Sequence, residues 1–141
     1  MLESPARLVL AAQVIREYLA VATRPIPANG LGMPMADALA NLREFRRTLR
    51  LLPEEKPVLP TFLALLERVP CAGKRVHDAH IVATAVVHRV PTIVSLNAED
   101  LSGFTREITV VGPGQALRAV GAVRREKRKG GRGRPSRARI R

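Results

Sequence analysis

"VHDAHIVATAVV", residues 76 to 87, sets an aspartate between two histidines at the head of an apolar run. Ala79, Val82, Ala83, Val86 and Val87 recur at intervals of three and four, which gathers side chains on one face of an α-helix. The pattern predicts a core-facing helix over 78 to 88, with Asp78 at its start. A carboxylate there gains about 0.3 to 1 kcal/mol from the helix dipole. On that ground alone Asp78 reads as a cap or first-turn acid.

Working outward, "PTIVSLN" (91 to 97) reads as a buried strand, "AEDLSGF" (98 to 104) as a loop or single helical turn, and "EITVVGP" (107 to 113) as a last strand stopped by Gly112 and Pro113. Upstream, "LPTFLALLERV" (59 to 69) reads as a helix with Leu59, Phe62, Leu63, Leu66 and Val69 facing inward, and "LRLLPEE" (49 to 55) as a strand. Met35, Ala38, Leu39, Leu42, Phe45 and Leu49 mark another helical face, preceded by the Pro- and Gly-rich loop "IPANGLGMP" (26 to 34). At the head of the chain, "ARLVLAA" (6 to 12) is a continuous apolar run suited to a buried strand. "QVIREYLAVATRP" continues it as a helix, with Val14, Ile15, Tyr18, Leu19 and Ala22 in register and Pro25 ending it. Strands alternating with helices imply parallel pairing through right-handed crossovers, hence a three-layer α/β/α domain.

In open sheets of this kind functional groups collect at the carboxyl ends of the strands. Glu17, in the helix after the first strand, Asp78, and Asp100, just past the strand 91 to 97, all fall near that edge, with Asn97 at the strand's end. Converging oxygen ligands of this kind suit Mg²⁺ or Mn²⁺. Each acid also has a plain structural reading: Asp78 as a cap, Glu17 as a surface acid beside Arg16, Asp100 as the start of a turn before Gly103. His77, His80 and His88 raise a rival zinc site, but His77 and His80 would need a third ligand, and structural zinc sites mostly add cysteine. His80 reads instead as a partly buried side chain or one that contacts a substrate backbone.

Taken together, "VIREYLAVATRP", "GKRVHDAHIVATAVVHRVPTIVSLNAEDLSGF" and "ITVVGP" resemble the PIN-domain family, in particular the VapC-type toxins of bacterial toxin-antitoxin pairs. The resemblance covers roughly residues 6 to 113. It implies a ribonuclease (a hydrolase) in which clustered acids hold one or two divalent ions and a metal-activated water cuts an RNA phosphodiester. Glu17, Asp78 and Asp100 then fill catalytic, metal-binding positions, and Asn97 matches a metal-binding position that is often Asp or Asn. The resemblance further implies an antitoxin that covers the acidic edge, and a homodimer.

PIN domains open with a strand of the kind "VDTNVL", whose aspartate is the first acid of the cluster and which lies in the middle of the sheet. This chain has no such stretch. Strands 6 to 12 and 91 to 97 would lose the neighbour between them, leaving ladder groups unpaired at about 1 to 3 kcal/mol each where buried. Two outcomes are open: an N-terminally truncated domain with a gap in its sheet, or a sheet that closes across the gap into three or four strands. One carboxylate fewer weakens a magnesium site, so weak or absent nuclease activity is expected.

The 141 residues carry a formal charge of +12, and residues 124 to 141 hold ten Lys or Arg against Glu126 alone, so +9 belongs to these last eighteen positions and +3 to the rest. The domain is expected at 1 to 118, with a disordered basic tail at 119 to 141. Arg124, Arg125, Lys127, Arg128, Lys129, Arg132 and Arg134 are the tail's candidate contacts to RNA phosphates. Cys71 is the single cysteine, which excludes an intrachain disulfide. No apolar stretch reaches membrane-spanning length, and the first residues lack the order of a signal peptide, so a cytoplasmic protein without a membrane role is expected. Two other classes compete with the nuclease: an inactive PIN-like remnant that binds nucleic acid or antitoxin, and a basic nucleic-acid-binding protein. One Tyr, three Phe and no Trp offer the latter little surface for stacking bases.

Overall fold

A computed structural model describes residues 7 to 130, with the backbone alone described for 123 to 130. Strand β1 (Val9–Ala11) runs directly into helix α1 (Ala12–Thr23), and α2 (Met35–Thr48) returns to β2 (Arg50–Leu52). Helices α3 (Val58–Arg68) and α4 (Lys74–Val87) follow. Then come β3 (Thr92–Val94), a 3₁₀ segment (Ala98–Phe104), β4 (Thr109–Val111) and α5 (Pro113–Gly130).

The class is mixed α/β with parallel pairing, but the strands do not form one sheet. β1 pairs with β2 and β3 with β4, each in parallel, giving two separate two-stranded sheets. The single sheet of a three-layer α/β/α domain is therefore corrected, as is closure across the gap. The burial expected for the strands changes with it. Val94 is 47% exposed and Leu8 55% exposed, because neither β1 nor β3 has a second neighbouring strand to complete its cover.

The main core lies between α3, α4, the 3₁₀ segment and β4. Val58, Leu65, Ala79, Val82, Ala83, Ala85, Leu101, Phe104 and Ile108 are all buried there. Alanines at three of the four buried apolar positions of α4 let its neighbours approach closely, while Phe104, Leu65 and Val82 supply the bulk. Val86, expected on the inner face, is 38% exposed, and Ala85 takes the buried place instead. Leu59 and Leu63 on α3 also stay exposed, and Val58 and Leu65 are the residues that helix buries.

Around α1 and α2 the packing is thinner. Ala22 and Ala38 are fully buried, and Tyr18 meets Phe45 edge to face at 5.7 Å between ring centroids. The loop after α1 is strapped back along that helix by the N–H groups of Leu31, Gly32 and Met33, which donate to the carbonyls of Val21, Arg24 and Ala22 at 3.0, 2.8 and 2.8 Å. Gly30 is required in it: a Cβ there would lie 1.9 Å from the Arg24 carbonyl oxygen.

Helix α5 runs across the expected boundary at 118, its backbone helical through Gly130. Pro113 at its first position has no N–H to leave unpaired. The Gln115 side chain accepts the Gly112 N–H at 3.0 Å, and Ala, Leu, Arg, Lys and Glu over 116 to 129 are strong helix formers. Packing contributes little, since Leu117 is 74% exposed. Residues 131 to 141, which hold Arg132 and Arg134, lie outside the described residues. Among the described residues no helix is long and apolar enough to cross a membrane.

Candidate functional site

Helix α4 starts four residues earlier than the apolar spacing indicates. Gly73 takes a positive φ of 57° and turns the chain, so the helix opens at Lys74 and Asp78 stands in its second turn. Asp78 is thus neither a cap nor a first-turn acid, and the dipole, which acts within the first turn, does not account for it. Its surroundings raise its pKa above the ordinary 3.8: burial contributes most, the Asp100 carboxylate next, and Glu17 adds to both, against opposition from Lys74 and His77. One of its oxygens, Oδ2, is buried without a hydrogen-bond partner. A half-buried carboxylate between two other carboxylates, with an oxygen left over, is a costly arrangement that a cation would relieve.

Each flanking acid is held by its own partner. Gln13 is buried, and its Nε2 donates to Glu17 Oε1 at 3.0 Å and to the His77 carbonyl at 3.2 Å, which ties α1 to α4 just before Asp78. Glu17 therefore faces α4 instead of pairing with its neighbour Arg16, which reaches Glu54 Oε1 at 2.9 Å. Asp100 sits in the 3₁₀ segment, where its N–H donates to the Asn97 carbonyl at 3.2 Å and its carboxylate lies 3.5 Å from Lys74 Nζ. Asn97 is exposed, and its own N–H donates to Ser95 Oγ at 3.1 Å.

Asp100 and Glu17 are thus both near enough to Asp78 to act on its charge. Their oxygens stand apart, however: among the described residues no three His, Cys, Asp or Glu side chains converge tightly enough to hold one ion. Like charges repel, and Gln13 and Lys74 each draw one flanking carboxylate toward themselves, so the acids interact through space without meeting. The histidines do not form a rival centre. His88 ends α4, with its Nε2 at 2.9 Å from the Pro53 carbonyl, whereas His77 and His80 lie toward the helix's other end.

Beside Glu17 a cavity of about 550 Å³ is lined by Gln13, Arg16, Phe62, His77 and His80. His80 packs edge to face on Phe62 at 5.3 Å, and its Nδ1 is buried without a partner. The half-buried placement expected for His80 is the observed one. Sequence reasoning missed Gln13 and Lys74. The spacing of Gln13 one helical turn before Glu17 was the available signal for the first, and nothing in the local pattern marked the second. Compared with protein-family models, with curated proteins and with solved structures, the chain matches none.

Proposed function

We propose that this chain is a PIN-type, Mg²⁺- or Mn²⁺-dependent ribonuclease of the toxin class, acting on RNA in the cytoplasm at a low rate and restrained by an antitoxin protein over its acidic rim. The observation that carries the reading is Asp78: a half-buried carboxylate with an unpartnered oxygen, its pKa raised by burial, by Asp100 and by Glu17. Those are the three acids that the family resemblance assigns to metal. The division of the strands into two pairs adds support, because the gap falls between β1 and β3, where the resemblance lacks its central strand.

Glu17, Asp78 and Asp100 are the residues that would hold the ion, with Asn97 near enough in the chain to contribute its amide. A bound divalent ion would lower the pKa of a coordinated water and offset charge on the phosphoryl oxygens. The protein's own part is to fix the acids through Gln13 and Lys74 and to offer Arg16 and the cavity beside Glu17 to an RNA strand. Incubating single-stranded RNA with the chain and millimolar Mn²⁺ or Mg²⁺ is expected to give slow cleavage, stopped by chelator and reduced more than tenfold by Asp78→Asn. Cleavage that persists in chelator, or that Asp78→Asn leaves unchanged, would overturn the assignment.

The open gap favours a second reading, a remnant that binds RNA or an antitoxin without cutting. Metal-dependent RNA binding with no product would select it. In either case the basic C-terminal segment strengthens RNA binding through phosphates. Deleting residues 124 to 141 is expected to weaken binding and to flatten its salt dependence, the log–log slope falling by about 0.7 for each phosphate the segment neutralises. An unchanged slope in a salt titration would remove the segment from the interface.

A further inference from the structure

Asn29 stands directly before Gly30, whereas the other two asparagines, Asn41 and Asn97, precede Leu42 and Ala98. With no Cβ on the glycine, nothing shields its nitrogen from the preceding side chain. The Gly30 nitrogen can then attack the side-chain carbonyl carbon, Cγ, of Asn29, a reaction that the side chains after Asn41 and Asn97 hinder. Asn29 is exposed, so solvent can supply the base and the water that the reaction consumes.

The folded loop holds this pair in an unreactive state. Asn29 closes the 3₁₀ turn Ile26–Ala28 in the left-handed region, at φ 59° and ψ 32°, a conformation that asparagine tolerates better than most residues. At that ψ the Gly30 nitrogen points away from the Asn29 side chain. Its N–H is engaged as well, donating to the Pro25 carbonyl at 3.1 Å, and the Arg24 backbone closes over Gly30 so tightly that no Cβ would fit. On one side of the pair the Asn29 N–H donates to the Ile26 carbonyl at 3.0 Å; on the other, Leu31, Gly32 and Met33 strap the chain to α1. Ring closure therefore needs the strap to open first.

From an Asn–Gly pair set at the crown of a hydrogen-bonded strap, we infer that Asn29 is a self-modification site, silent while the strap is shut and converted to isoaspartate when it opens. In the open loop the Gly30 N–H gives its proton to hydroxide, and the nitrogen forms a bond to Asn29 Cγ. The side-chain nitrogen leaves as ammonia, protonated by water, and a five-membered succinimide remains. Water then adds to one of the two ring carbonyls and breaks its bond to nitrogen. Opening at Cγ gives aspartate; opening at the main-chain carbonyl gives isoaspartate, whose backbone runs through Cβ and is one atom longer. That extra atom lies between the Ile26 contact and the contacts to Val21, Arg24 and Ala22, so the two sets no longer fit in one register. Conversion thus locks the strap open. The inference does not depend on metal binding or on RNA cleavage.

Tandem mass spectrometry of the tryptic peptide covering residues 17 to 43 tests it, since that peptide holds both Asn29 and Asn41. The full chain and a synthetic peptide of residues 24 to 33 are incubated side by side in mildly alkaline buffer. In the folded chain Asn29 is expected to convert at least tenfold more slowly than in the peptide, and to speed up with urea until the two rates meet, while Asn41 stays intact. Chains aged in urea and refolded should carry isoaspartate at residue 29, exchange the Leu31, Gly32 and Met33 amides at least tenfold faster than fresh chains, and melt at a lower temperature. Asn29→Asp, carried through the same cycle, adds the charge without the extra backbone atom and should keep both properties close to the parent's. Conversion in the folded chain at the peptide's rate, conversion of Asn41 alongside Asn29, or aged chains whose three amides exchange as slowly as fresh ones would overturn the inference. So would an Asn29→Asp variant as loose as the aged chain, which would assign the effect to charge.

Discussion

Phe104→Ala is expected to cost about 3 to 5 kcal/mol of stability, the range for truncating a buried aromatic side chain without collapse of the site. Phe104 is fully buried and is the largest of the fully buried side chains. It ends the 3₁₀ segment, packs in the same cluster as Leu65, Val82, Leu101 and Ile108, and its carbonyl accepts the N–H groups of Glu107 and Ile108 at 3.0 and 3.1 Å. Small domains hold together by about 5 to 15 kcal/mol, and here both sheets are two-stranded and half-exposed, so the loss consumes much of the total. Urea denaturation followed by circular dichroism should show the midpoint fall sharply, while Leu117→Ala, on the exposed face of α5, should stay within about 0.5 kcal/mol of the parent. The Phe104 variant should also loosen the acidic rim, because Phe104 anchors the segment that carries Asp100. A loss below about 1 kcal/mol would mean that Phe104 is not the core residue its burial indicates.

Much of this arrangement was legible in the sequence where periodicity is strong. Helices over 35 to 48 and 58 to 68, the strand at 50 to 52 and the strand-to-helix run through Ala11 and Ala12 follow from apolar spacing bounded by proline. Spacing failed where the signal was of another kind. The start of α4 is set by Gly73 in a backbone conformation that costs glycine little, and the first turn after it, Lys74, Arg75, Val76 and His77, carries no apolar rhythm. Likewise α5 extends through charged residues because of intrinsic propensity and the Gln115 contact, which a reading based on hydropathy takes for disorder. For the candidate site, Glu17 and Asp100 stood out by their positions after strands and Asp78 by its place at the head of an apolar run. The partners that fix them were not: Gln13 reaches His77 across 64 residues of chain, a distance that no local pattern encodes.

Asp78→Asn should reverse its effect on stability depending on whether divalent metal is present. Because the folded state raises the Asp78 pKa above 3.8, through burial first and the Asp100 and Glu17 carboxylates after it, the folded chain binds that proton more tightly than the unfolded chain does. Stability from this group is then fully present below the ordinary carboxyl pKa and is lost as pH rises through the folded value. At neutral pH the ionised Asp78 opposes folding, so without metal the asparagine variant should melt higher. An uncharged amide there removes the repulsion from Asp100 and Glu17, and the difference from the parent should shrink toward zero in acid as the parent's carboxyl takes up its proton. Saturating Mn²⁺ changes the order. On the proposed metal site the parent should gain about 2.7 kcal/mol at a hundredfold excess over its dissociation constant, whereas the variant, lacking the central carboxylate, should respond little. Melting curves of both proteins at neutral and acidic pH, with and without Mn²⁺, measure all of these effects. A variant that gains as much from Mn²⁺ as the parent would place the ion elsewhere, and a variant less stable than the parent in metal-free neutral buffer would mean that Asp78 has a cationic partner strong enough to outweigh its neighbours.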